Sequence, residues 1–156
     1  MKAHTHAVRE LEEKEIPFEL LEHGHKARHA QEAADERGVP LAQVVKTLLV
    51  RRPDGHHLVA LVRGDQRLSL KKLARLAGVK SLEMAPEEDV PRITGYQVGA
   101  VAPVGLRRKD VPIYVDQHIV QVPRVSISAG RHDTGLELTS ADLVRAVNGQ
   151  VTDITE

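Results

Sequence analysis

The stretch VVKTLLVR, residues Val44–Arg51, decides the fold of this chain. It is rich in valine and leucine, a composition that favours a β-strand. Pro53-Asp54-Gly55 follows it, and a proline that presets φ before a glycine that accepts positive φ is typical of a turn. HLVALVR, residues His57–Arg63, then returns as a second strand. The two stretches therefore predict a β-hairpin.

Helices and strands are interspersed on both sides of this hairpin. Hydrophobic spacing and capping residues predict helices at 7–15, 30–37 and 70–77, a short helix that begins at Pro86, and a last helix that ends at Asn148. Further strands are expected at 18–21, 113–115, 125–128 and 151–154. Because a hairpin argues against a purely parallel sheet, we expect a mixed α/β (α+β) fold in which helices surround a central, mixed, barrel-like β-sheet.

Composition narrows the class of protein. A length of 156 residues suits one domain, which we place at residues 1–156. The 22 basic and 22 acidic residues cancel, so DNA is not an expected partner and any contact with RNA should be local. The absence of cysteine excludes thiolate metal sites and a cysteine nucleophile. A charged, amphipathic start and short apolar runs predict a cytoplasmic protein without a membrane partner.

Lys46 is the first candidate for chemistry. Alternate residues of a strand share a face, so Lys46 lies among apolar neighbours with Leu48 and Val50. A buried, unpaired ammonium costs several kcal/mol, which favours a functional task. The alternative is a lysine whose amine reaches solvent from the start of the strand.

A glycine-rich stretch, GYQVGAVAPVG at residues 95–105, is the second candidate. Glycine allows a backbone to approach a ligand closely, and free N–H groups can bind a phosphate, a ribose or a developing oxyanion. A bulge or tight crossover is the structural alternative. SAGRHDTGLEL, residues 128–138, fits a hairpin loop.

Histidines give a weak indication of a metal site. His25 and His29 have i,i+4 spacing, but they precede the predicted helix and no set of carboxylates accompanies them. The chain also lacks the Gly-x-Ser-x-Gly motif of serine hydrolases. We expect no metal and no cofactor, and a metal-dependent hydrolase is a minor alternative.

Several segments, in order, resemble the YbaK-type family, which is related to the editing domain of bacterial prolyl-tRNA synthetases. The resemblance spans nearly the whole chain, and its most specific marks are Lys-Thr-Leu and the Gly-x-x-x-Pro loop. The matching segments are Thr5-x-Ala7, QEAADERGVPLAQVVKTLLV (31–50), LSLKKLARLAGVKSLEMA (68–85), TGYQVGAVAPVG (94–105) and SAG…LEL…ADL (128–143).

The resemblance implies hydrolytic removal of a small mischarged amino acid, commonly cysteine or alanine, from the 3′ end of tRNA-Pro, with prolyl-tRNA synthetase as a partner. Lys46 matches the family's essential lysine, which we assign as catalytic. The residues expected to bind substrate are those of the Gly-x-x-x-Pro loop, Gly99, Ala100, Val101, Ala102 and Pro103, together with Thr47, His23, His29 and Gly130.

The chain also departs from the family pattern. Ala102 replaces a serine that relatives often carry in the loop, and His23 and His29 replace aromatic residues. An aspartate of the cysteine-specific relatives falls on Gly135, with Asp133 two residues earlier. An alternative function is therefore a non-catalytic module of the same fold that binds tRNA ends or nucleotides.

Overall fold

The computed structural model describes residues 4–156, so residues 1–3 of the predicted domain lie outside the described part. None of the described helices is both long and apolar enough to cross a membrane. The α-helices are α1 (His6–Glu13), α2 (Ala30–Arg37), α3 (Leu70–Ala77), α4 (Asp89–Thr94) and α5 (Ser140–Val147). The strands are β1 (Glu19–Glu22), β2 (Val45–Arg51), β3 (His57–Arg63), β4 (Glu83–Met84), β5 (Ile113–Asp116), β6 (Arg124–Arg131), β7 (Thr134–Thr139) and β8 (Gln150–Thr152).

The predicted hairpin is confirmed. Strand β2 pairs with β3 in antiparallel register, from Val45 opposite Arg63 to Arg51 opposite His57. Strand β5 then lies parallel to β3, and β8 lies parallel to β5. The resulting sheet has the order β4-β2-β3-β5-β8 and contains both parallel and antiparallel pairs. The prediction of a mixed sheet is therefore also confirmed.

The strands form two sheets, whereas the sequence predicted one barrel-like sheet. Strands β1, β7 and β6 make a second, antiparallel sheet, and a single bridge from Ser126 to Val44, the residue before β2, joins the two sheets. At its other end β2 pairs with β4 through Val50 and Arg51 only. Between these two points, the edge of β2 that faces away from β3 has no strand beside it among residues 4–156. The barrel stays open there because the linking pairs are confined to the ends of β2.

The two faces of β2 pack against different apolar clusters. Val45 and Leu49 belong to the main core, which lies between the two sheets and the helices α1 and α5. Leu48 and Val50 face a smaller cluster that α3 covers with Leu73. Since alternate residues share a face, Lys46 lies on the side of the smaller cluster and Thr47 on the side of the main core.

Capping residues set the boundaries of two helices as the sequence predicts, whereas α1 covers His6–Glu13 and not the predicted 7–15. Helices α2 and α3 have the predicted bounds, and each ends at a glycine of positive φ, Gly38 and Gly78. The hydroxyl of Ser69 accepts the N–H of Lys72 at the start of α3. Helix α4 begins three residues after Pro86, because Pro86 accepts the N–H of Asp89 and so starts a turn before the helix.

Helix α1 is fastened to the end of the glycine-rich stretch. The carboxylate of Glu10 accepts the N–H of Gly105 at 3.0 Å. Gly105 has φ +68°, and a Cβ on it would collide with the backbone of His6 and Ala7. A glycine is therefore required here both for its backbone conformation and for its lack of a side chain.

We expect the substitution Gly105→Ala to destabilise the protein by about 2–4 kcal/mol, because it adds left-handed strain to a clash with helix backbone. Gly24→Ala is the matched control, since a Cβ there meets nothing within 4 Å and φ is not positive. The control should change the free energy of unfolding by less than about 0.5 kcal/mol. Urea denaturation measures both, and equal midpoints would contradict the expectation.

Candidate active site

A cavity of about 350 Å³ opens at the unpaired edge of β2. One wall is β2 with the residue before it, 44–49, and the opposite wall is the start and end of α2 with the residues that precede it. The remaining lining comes from Met84, Ala85, Glu87 and Val90, from the glycine-rich stretch, and from Ser128 of β6. The polar or conformationally special residues in the lining are Arg28, His29, Arg37, Lys46, Thr47, Glu87, Gly99 and Ser128.

Lys46 lines this cavity, and its amine is held rather than free in solvent. The Nζ atom donates a hydrogen bond of 2.6 Å to the carbonyl oxygen of Gln66. Burial lowers the pKa of the Lys46 amine; the nearby carboxylate of Asp65 raises it in part, and Arg67 lowers it further. A partly desolvated amine beside a cavity can bind an oxygen of a ligand or offset negative charge.

Thr47 presents to the cavity polar groups that lack a hydrogen-bond partner. Its Oγ1 is buried and has no hydrogen-bond partner in the described part of the chain. The carbonyl of Leu49 accepts from Ala85, on the side away from β3. Because main-chain hydrogen bonds alternate in direction along an antiparallel strand, the N–H and C=O of Thr47 point to that same side. A ligand in the cavity can therefore pair with the main chain at Thr47.

Gly99 and Val101 bring the glycine-rich loop to the same cavity. Gly99 has φ +85°, and a Cβ on it would lie 3.1 Å from the carbonyl oxygen of Arg28 and 3.3 Å from Nε2 of His132. The loop is closed on itself, since Ala100 donates its N–H to Gln97. Gly99 therefore allows the loop to run close to the residues before α2.

The structure does not bring all the predicted substrate-binding residues to this cavity. Ala100 and Gly130 line a neighbouring hollow, where Gly130 packs against Tyr96. Ala102 is fully buried in the core, and Pro103 lines a separate cavity beside α1. The residues that do meet at the cavity are Lys46, Thr47, His29, Gly99 and Val101.

The two predicted histidines occupy different environments. His29 precedes α2, lines the cavity and lies 2.8 Å from Glu32. The side chain of His23 is only 6% exposed, lies 2.7 Å from the carbonyl of His25 and does not line the cavity. Within residues 4–156, no three His, Asp or Glu side chains lie close enough to share a metal ion. The functional roles of both histidines stay predictions.

Sequence reasoning missed Arg37. This last residue of α2 lines the cavity and donates from NH1 to Oγ of Ser126 at 3.1 Å. Burial lowers the pKa of its guanidinium to about 10. A basic residue before a glycine that ends a helix is usual, so the pattern gave no reason to place it in a site. The one indirect signal was Gly135, whose missing side chain leaves the space that Arg37 fills.

The fold and cavity together define a class of protein, a mixed α/β domain in which a lysine and a glycine-rich loop line one cavity. Residues 25–146 match the family model described as the aminoacyl-tRNA editing domain, which is more than half of the chain. The chain therefore belongs to the aminoacyl-tRNA editing domain family.

Similar proteins agree with this assignment. An Enterococcus faecalis protein named "Putative Cys-tRNA(Pro)/Cys-tRNA(Cys) deacylase EbsC" is 31% identical over 97% of this chain and 93% of its own length. A proline–tRNA ligase of Geobacter metallireducens is 45% identical over 66% of this chain, which matches only 16% of the ligase. A crystal structure described as "a putative trans-editing enzyme for prolyl tRNA synthetase" superposes with a TM-score of 0.88, at 31% identity and 99% coverage of both chains.

We expect the Lys46 amine to titrate below the ordinary lysine pKa of about 10.4, because burial disfavours its charged form. Reductive ¹³C-methylation followed by NMR titration measures this pKa, and Lys46→Arg identifies the signal by removing it. In Asp65→Asn the pKa should fall further, since Asp65 favours the protonated amine. A Lys46 signal that titrates at or above 10.4 would contradict the expected burial.

Proposed function

We propose that this chain is a freestanding trans-editing deacylase that hydrolyses the ester between a small mischarged amino acid, cysteine or alanine, and the 3′ end of tRNA-Pro. The observation that carries the proposal is that Lys46, the main chain of Thr47 and the loop at Gly99 line one cavity. Membership of the editing family and the names of the relatives support the same reaction.

The arrangement suits hydrolysis by positioning. Water adds to the ester carbonyl carbon, negative charge develops on the carbonyl oxygen, and the bond to the ribose oxygen then breaks, with the ribose oxygen taking a proton. The Lys46 ammonium offsets the developing charge. The main-chain groups of Thr47 and the loop at Gly99 hold the ester in place, which is itself a large source of rate. An aminoacyl ester is already activated, so this mechanism requires no nucleophile from the protein.

The size of the cavity decides which part of the substrate enters. A volume of about 350 Å³ suits an amino acid with part of the terminal ribose, while the rest of the tRNA stays outside. An adjoining hollow shares Arg28, Val98 and Gly99 with the cavity and adds Lys26 and His132. These basic side chains provide the electrostatic attraction that an RNA backbone needs. We therefore place the 3′ end across Gly99.

The partner and the location follow from the substrate. Because proline–tRNA ligases contain a similar segment, we propose that prolyl-tRNA synthetase supplies the mischarged tRNA to this chain in the cytoplasm. The rival function, a non-catalytic module for tRNA ends, drew on the departures at Ala102 and Gly135. Ala102 is fully buried outside the cavity, so a hydroxyl lost there is not lost from the site.

Replacing Lys46 tests the reaction directly. We expect Lys46→Ala to lower kcat/KM for Cys- or Ala-tRNA-Pro by about 100-fold or more, since one group that stabilises developing charge is removed. Lys80→Ala, at an exposed lysine that lines none of the described cavities, is the control and should retain wild-type turnover. Release of labelled amino acid from the charged tRNA is the measurement. Equal turnover by wild type and Lys46→Ala would refute the catalytic role, and binding of the tRNA without turnover would favour the rival.

Replacing Gly99 tests the loop. The substitution Gly99→Ala should lower deacylation at least several-fold, because its methyl group displaces the main chain of Arg28 and the side chain of His132. Gly55→Ala is matched in backbone strain, with φ +89°, but its methyl group meets nothing within 4 Å. Both variants should lose about 1–2 kcal/mol of stability, yet only Gly99→Ala should lose activity. Similar activity in both would remove the loop from the site.

A further inference from the structure

The wall of the cavity carries a cation that the proposed reaction does not use. Arg37 lines the cavity and donates one hydrogen bond to Ser126, a residue that is 1% exposed. Its Nε is buried and has no hydrogen-bond partner in the described part of the chain. No carboxylate among residues 4–156 forms an ion pair with it. The guanidinium is therefore half-buried, with a buried Nε and no countercharge.

Such a group is costly unless a ligand pairs with it. A buried, unpaired charge costs several kcal/mol, and arginine is always charged at neutral pH. The chain nevertheless makes room for it, because Gly135 leaves out the side chain that would collide with the guanidinium. Charged groups that are desolvated at the wall of a cavity are typical of functional sites.

The groups near Arg37 are mainly hydrogen-bond donors and include few acceptors. Arginine has donors only. Ser128 also lines the cavity, and its Oγ already accepts the N–H of Gly130, which leaves its O–H to donate. A ligand group placed here must therefore accept hydrogen bonds. The α-ammonium of an aminoacyl ester carries the same charge as Arg37 and is therefore excluded from the position beside it. The carboxylate that lines the cavity belongs to Glu87.

The shape of the cavity decides which acceptor can reach Arg37. Arg37 and Ser128 line the cavity but not the adjoining hollow, whose basic side chains are Arg28 and Lys26. Since the RNA backbone is placed across that hollow, the aminoacyl group is the part of the substrate left to enter the cavity. The amino-acid side chain is the one part of the substrate that terminates, so it is the part that fits there.

We propose that Arg37, with Ser128, is the specificity-determining residue of the cavity and selects a small side chain that carries an acceptor oxygen, such as the serine hydroxyl, over the methyl of alanine or the thiol of cysteine. This inference rests on the proposed deacylase function and changes its preferred substrate from cysteine or alanine to serine. Serine is the smallest amino acid that meets both the size of the cavity and the demand for an oxygen. A thiol is only a weak acceptor, and a methyl group leaves the guanidinium unpaired.

The test compares Ser-, Ala- and Cys-tRNA-Pro as substrates of the full chain. Wild type should show a kcat/KM for the serine ester that exceeds the other two by about 10-fold or more, the effect of one charge-assisted hydrogen bond. In Arg37→Met, which keeps the length and removes the charge, this ratio should fall toward one. Arg37→Lys keeps the charge without the planar fork and should give an intermediate ratio. The control is Arg9→Met, at an exposed residue of α1 that lines no described cavity.

The outcomes separate this inference from the proposed function. Turnover of the alanine or cysteine ester without a preference for serine overturns the role of Arg37 and leaves the deacylase in place. No turnover of any ester refutes the deacylase, and the inference with it. A serine preference that survives Arg37→Met also overturns the role of Arg37. The same holds if Arg37→Met loses inhibition by AMP and nothing else, because that result would assign the guanidinium to a phosphate. If thermal melts show that Arg37→Met does not fold, the role of Arg37 is tested by the ratio of kcat/KM values in wild type and in Arg37→Lys.

Discussion

The incomplete pairing of β2 is the constraint on which the rest of the structure depends. One edge of this strand is fully used by β3, while the other is held only at its two ends, by Ser126 and by β4. Main-chain groups that a closed barrel would consume are therefore left for a ligand. An unpaired edge usually invites association with another strand. In this chain α2 and the glycine-rich loop cover the unpaired edge of β2, so the edge faces a cavity of limited size.

The same constraint explains how an ordinary core can carry a reactive site. Val45 and Leu49 anchor one face of β2 in the main core, and Leu48 and Val50 anchor the other. The strand is therefore fixed from both sides, and Lys46 and Thr47 take their positions from that packing. A site built on a rigid strand positions its groups more accurately than one built on a loop. The position of the loop at Gly99 is in turn limited by Arg28 and His132.

Most of the fold could be predicted from local sequence signals. The hairpin, the bounds of α2 and α3 and the capping role of Ser69 rest on residues close in sequence, and all were found. The division into two sheets could not be predicted, because it depends on whether the pairing between Ser126 and Val44 continues along β2. Strand β4, two residues long, has too little pattern to detect.

The candidate site could be predicted in part for the same reason. Lys46 and Gly99 have unusual residue types for their surroundings, which makes them visible in a sequence. Arg37 has an ordinary type for the end of a helix, and only its position above Gly135 distinguishes it. Ala102 and Pro103 share a motif with Gly99, but a turn of the chain directs them into the core and toward α1.

The contact between Arg37 and Gly135 also limits how this cavity can evolve. A side chain introduced at residue 135 would collide with the guanidinium, so Arg37 would have to shift for an aspartate to fit there. Loss of the arginine first would leave an empty, polar hollow. Residues 37 and 135 therefore act as one unit in the wall of the cavity, and the effects of substituting them are expected to be non-additive.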